Sequence, residues 1–126
     1  MKLKYFKLSE FDSPIEKGSG KNMDICFLEM LDQAREFAGV PFRINNGFRV
    51  PADTQRLIDK GYKVAKDSPH LKGYAADIRA ENSTMRYKII TACLRAGFTR
   101  IGIGKNFIHV DNDPDKVQHL IWHYYD

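Results

Sequence analysis

Apolar residues recur along this chain at two periods, and the alternation between them lays out the elements. From Asp24 to about Phe37, Ile25, Leu28, Leu31, Ala34, Phe37 and Ala38 fall at helical spacing. Glu29, Asp32, Arg35 and Glu36 hold the other side, and Gly39 supplies a stop. Asn82-Ser83-Thr84 offers an N-cap to a second long helix through Ile89, Ile90, Cys93 and Leu94, closed by Gly97. Pro51 suits the first turn of a shorter helix running to Lys60 and ended by Gly61. Period-two alternation marks strands at Pro41 to Asn45 and Tyr74 to Ala80. In the latter, Tyr74, Ala76 and Ile78 point one way and Ala75, Asp77 and Arg79 the other. Arg100 to Ile103 and Phe107 to Asp111, separated by Gly104-Lys105-Asn106, read as a β-hairpin. Residues 3 to 8 suggest a short edge strand, 62 to 69 show no period, and Val117 to Tyr125 suggests a last strand or short helix.

These elements predict an α+β fold. A small, mainly antiparallel sheet would carry helices on one face and leave the other for chemistry. With 126 residues, 43% of them hydrophobic, the chain suits a single domain spanning residues 1–126 and needs no staples.

Composition narrows the picture only slightly. A formal charge of +4 implies attraction to something anionic, such as a cell wall, a membrane surface or nucleic acid. The basic residues are scattered singly, so an ordinary solvated surface explains them as well, and nucleic-acid binding rests on charge alone. Cys26 and Cys93 fall in helices among apolar neighbours and read as small buried hydrophobes. No stretch is long enough to span a bilayer, so membrane insertion is not expected. The opening Met1 to Leu8 alternates charge with apolar residues and lacks the apolar core of a secretory signal. The expectation is a monomer made in the cytoplasm.

The candidate chemistry lies in two stretches, Asp67 to Asp77 and Phe107 to Asp111. His70 enters from a loop, while Asp77 and His109 sit on strand faces opposite the aliphatic residues. Two imidazoles and one carboxylate form an open zinc site, with a fourth position left for water. Such a set leaves Zn2+ with a net charge of about one, enough to bring bound water toward a pKa of roughly 7. Gly73, Ala75 and Ala76 let the ligand loop and its strand approach closely. His119 and His123 are four apart, but Trp122 and the tyrosines around them favour packing over metal binding.

The run Ser68-x-His70-x2-Gly73-x-Ala75-x-Asp77, with His109 downstream, resembles the zinc D-alanyl-D-alanine carboxypeptidase and L-alanyl-D-glutamate endolysin family, in its small single-domain branch. The likeness extends to Leu8-Ser9-Glu10-Phe11, Arg43 to Arg49, Gly102-Ile103-Gly104 and Trp122. It implies a hedgehog/DD-peptidase-like fold and hydrolysis of an amide bond in peptidoglycan stem or cross-bridge peptides. The site it implies has zinc on His70, Asp77 and His109, Arg49 facing the oxyanion, and Ser68 supporting the ligand loop or touching substrate. Tyr74 and Phe107 are expected as pocket walls. The family's base usually stands two or three residues before the last histidine, where this chain has Phe107 and Asn106. Asp111 is then the nearest ionisable candidate, either as base or as a partner orienting a ligand histidine. The lack of a standard base motivates an alternative, a zinc-containing module that binds cell-wall peptides or a protein partner without turnover. A phage or prophage lysis enzyme, reaching the wall after lysis or holin-type release, would fit the missing signal.

Overall fold

In the computed structural model, which describes residues 2–63 and 67–125, a five-stranded sheet of order β1-β2-β4-β3-β5 forms the spine. The strands are β1 (Ile44–Asn46), β2 (Ala75–Arg79), β3 (Arg100–Ile103), β4 (Phe107–Asp111) and β5 (Leu120–His123). All neighbours are antiparallel except β3 and β5, which are parallel. The helices are α1 (Ile25–Ala38), α2 (Pro51–Asp59) and α3 (Ser83–Arg95).

Strand alternation divides the sheet as expected. Ala76, Ile78, Ile101, Ile108 and Val110 are buried with Phe27, Leu28, Leu31 and Ala34 of α1 and Ile89, Ala92 and Cys93 of α3 in one core. The helices pack against each other over that face. The Asp24 and Asn82 side chains cap α1 and α3 by accepting from the N–H groups of Phe27 and Met85. Gly39, at φ +67°, ends α1 in the left-handed conformation.

Several expectations need correction. Residues 3 to 8 form no strand, because the N–H groups of Lys4 and Tyr5 donate to the Asp32 carboxylate on α1 instead of to a sheet edge. Phe6 and Phe11 still enter the core, with Leu8–Phe11 a 3-10 turn. The apolar stripe of α1 begins at Phe27, leaving Ile25 and Cys26 exposed, while Cys93 is buried; both cysteines are free thiols. Pairing in β1 is confined to Ile44–Asn46, and the closing segment resolves as the strand β5. In a strand the four-residue spacing of His119 and His123 no longer places them on one helical face, and both are exposed. Residues 64–66 of the expected loop lie outside the described residues.

Candidate metal centre and cleft

The register of the sheet builds the site. Asn46 of β1 pairs with Asp77, Asp77 with His109, His109 with Gly102 and Gly102 with Trp122, a single row across all five strands on the face opposite the helices. His70 joins from the 3-10 turn Pro69–Lys72, which Ser68 caps by accepting from the His70 N–H at 3.3 Å. Gly73 follows at φ +80°, with its Cα so close to the Asn22–Asp24 backbone that a Cβ would stand 2.6 Å from the Asn22 carbonyl oxygen. The chain can turn from the ligand loop into β2 at that point only without a side chain.

The donor atoms of His70, Asp77 and His109 lie within 4.8 Å of one another, and all three residues are buried. Asp77 Oδ1 is 3.3 Å from His70 Nε2 and 3.0 Å from His109 Nδ1, separations suited to ligands about 2 Å from one cation. Each imidazole is held from behind. His70 Nδ1 is 2.8 Å from the Gly47 carbonyl oxygen, to which it donates, leaving the Nε2 lone pair for the site. His109 Nε2 donates to Asp111 Oδ2 at 2.7 Å, which turns Nδ1 inward. Asn46 donates to the outer oxygen of Asp77. A centre with two directed nitrogens, one carboxylate oxygen and an open side fits a zinc ion.

Electrostatics follow from that crowding. Burial raises the Asp77 carboxyl pKa, but the two imidazoles outweigh it and hold the group ionised far below the usual carboxylate range. Burial lowers His109, yet its hydrogen bonds to Asp111 and Asp77 push it up to about 9. The metal-free pocket therefore keeps a proton where a cation would sit.

Asp111 is fully buried and both its oxygens are engaged. Oδ1 accepts from Arg100 Nε at 2.7 Å and from the Asp113 N–H at 3.1 Å, while Oδ2 faces His109. Arg100 also donates to the Val117 carbonyl and lies over the Trp122 ring, 4.9 Å from its centroid. Asp111 thus stands behind His109, hydrogen-bonded on both oxygens.

The triad lies in a cleft of about 670 Å³, whose walls include Arg49, Ser68, Phe107, Trp122 and Tyr124. Arg49 is tied to the ligand loop by its own N–H, which donates to the His70 carbonyl at 2.9 Å. Tyr74 does not line this cleft; strand alternation puts it on the side of Ala76 and Ile78. Sequence reasoning missed Arg100 and Tyr124. Arg100 carried a readable signal, an arginine in phase with His109 on a strand of otherwise apolar and glycine residues. Tyr124 carried none, since its strand had no clear period.

Fold and cleft together define a peptidase-like α+β domain with a His-Asp-His triad on the open face of its sheet. The sequence profile of the peptidase M15 family matches residues 3–111, and the chain belongs to that family. Among solved structures, the L-Ala D-Glu endopeptidase ChiX of Serratia marcescens is similar at 20% identity, over 72% of this chain and 80% of that one, with a TM-score of 0.61. At that identity the likeness is one of fold. No curated protein sequence matches.

Proposed function

We propose that the protein is a zinc-dependent peptidase hydrolysing an amide bond in peptidoglycan stem or cross-bridge peptides, of the DD- or LD-carboxy- or endopeptidase type, and that it serves as a phage or prophage lysis enzyme. The observation that carries this is the triad of His70, Asp77 and His109, preoriented by Gly47 and Asp111 at the floor of a peptide-sized cleft. Family membership and the endopeptidase named among the structural relatives support the substrate class. His70, Asp77 and His109 would hold the zinc ion, which would supply Lewis-acid polarisation of the scissile carbonyl and water activation. The protein does the rest. Asp111 holds His109 in the tautomer that presents Nδ1, and Arg100 keeps that carboxylate in place. Arg49 offers guanidinium N–H groups to the developing oxyanion; burial lowers its pKa, and Asp77 and Asp53 oppose that loss. Phe107 and Trp122 form apolar walls that shield the reaction from bulk water.

A second reading has its own observation. Among the described residues lining the cleft, Asp77 and Asp111 are the only carboxylates, and both are engaged. A zinc-bearing module that binds cell-wall peptides without cleaving them would need no free base. Zinc-loaded protein incubated with purified peptidoglycan should release new amino termini, and chelator should stop it. Arg49→Lys should retain zinc and lose about 10²–10³ in kcat. A folded, zinc-replete protein that binds peptidoglycan and releases no amino termini would leave the binding module standing.

A further inference from the structure

The last strand brings an aromatic pair over the metal face, and its second member has no part in the roles described so far. Tyr124 follows β5, and its N–H donates to the Ile103 carbonyl at 3.0 Å, so the β3–β5 pairing fixes its backbone beyond the strand's end. Its ring stands 5.4 Å from Phe107 and 6.2 Å from Trp122, the latter at the end of the His109 row and the former beside it. Beneath both rings lies Gly102, the residue paired with His109. A Cβ at Gly102 would stand 2.8 Å from the Trp122 ring and 2.8 Å from the Tyr124 ring. The sheet thus omits a side chain at the one position that lets these rings settle against the metal row. This is a built placement rather than a loose terminal tyrosine.

The tyrosine also borders the metal face directly. Tyr124 lines the same cleft as Arg49, His70, Asp77 and His109. Among the described residues the Tyr124 hydroxyl has no hydrogen-bond partner within the protein, so its O–H is free to donate into the cleft. Tyr124 is 49% exposed, and partial desolvation with the nearby carboxylates holds its phenol above its ordinary pKa, so it stays protonated and remains a donor. Arg100, the other cation beside Trp122, is spent on Asp111 and the Val117 carbonyl.

We propose that Tyr124 is a further catalytic residue of this site, its phenolic O–H donating a hydrogen bond, together with the Arg49 guanidinium, to the scissile carbonyl oxygen as that oxygen gains charge. The proposal rests on the peptidase reading. It requires no proton transfer, since the phenol keeps its proton throughout and only the strength of its hydrogen bond changes as the carbonyl becomes tetrahedral. It also gives the glycine at 102 a functional reason: room for a donor next to the metal ligands.

The test is Tyr124→Phe in zinc-loaded protein, which keeps the ring packing on Phe107 and Gly102 and removes only the hydroxyl. Three quantities are read: steady-state hydrolysis of the stem peptide, the affinity for a phosphinate isostere of the bond the wild type cleaves, and bound zinc with the melting temperature. The expected result is a fall in kcat of about 10- to 100-fold with KM within twofold, matched by a similar loss of phosphinate affinity. Zinc content and melting temperature should stay at wild-type values. A variant whose kcat and phosphinate affinity both remain within twofold of wild type overturns the role of Tyr124 while the peptidase reading survives. A folded, zinc-replete wild type that cleaves no stem peptide overturns both together.

Discussion

Replacing Asp111 with asparagine tests the logic of the site more sharply than deleting a ligand. Asp111 Oδ1 receives two donors, Arg100 Nε and the Asp113 N–H, whereas Oδ2 receives only the His109 Nε2 proton. In Asp111→Asn the amide oxygen should take the doubly donating side, so the NH2 group turns toward His109. Nε2 must then accept, which moves the imidazole proton to Nδ1 and removes the lone pair that faces Asp77 and the metal. Loss of a carboxylate behind a ligand histidine weakens metal binding by about 10- to 100-fold, or about 1.4–2.7 kcal/mol. Arg100, with a side chain only 10% exposed, also loses its counter-charge. Stripping one partner from a buried pair costs about 3–5 kcal/mol, so the metal-free variant should melt well below wild type. Chelator-competition titration of zinc and thermal unfolding of the metal-free protein measure the two effects separately. A variant that binds zinc as tightly as wild type and yet cannot cleave peptide would refute the orienting role and make Asp111 the proton acceptor.

Four other outcomes follow from the same structure. His109 is raised to about 9 in the metal-free protein from an unfolded value near 6.5, so its protonated form stabilises the fold fully below about pH 6.5. That contribution is lost as the pH rises through 9; Tm of the metal-free protein should decline across this window, and a flat profile would contradict the coupling. Zinc must displace that proton, so its apparent affinity should fall as pH is lowered below 9, as a chelator-buffered titration at several pH values would show. Phe27, fully buried and 5.6 Å edge-to-face from Phe98, anchors α1 to the core; Phe27→Ala should cost about 3–5 kcal/mol in urea unfolding. Gly73→Ala, at φ +80° against the Asn22 carbonyl, should lower both stability and zinc affinity, since relieving the clash displaces the His70 loop.

Much of this was legible in the linear chain because it depends on local period and on residue type. The stripes of α1 and α3, a cap within Asn82 to Thr84, and the hairpin of β3 and β4 were readable, as was the placement of the candidate ligands Asp77 and His109 opposite the aliphatic face. Alternation settles which face a strand residue takes, and the small residues Gly73, Ala75 and Ala76 signal the close approach of the ligand loop to its strand.

What the chain could not show is who stands behind whom. The double engagement of Asp111 exists only because β3 pairs with β4 in the register that sets Arg100 opposite it. Residues 3 to 8 failed as a strand because Asp32, 27 residues beyond Tyr5, offered their N–H groups a better partner. The aromatic pair of Trp122 and Tyr124 reaches the metal row only through a parallel pairing of β5 with β3 and the bare backbone of Gly102. Sequence alone determined which residues could bind a metal and on which face, since those are properties of single side chains and short periods. Tertiary structure alone decided which nitrogen each histidine presents and which groups surround the open side, because those depend on hydrogen-bond partners brought together by strand register.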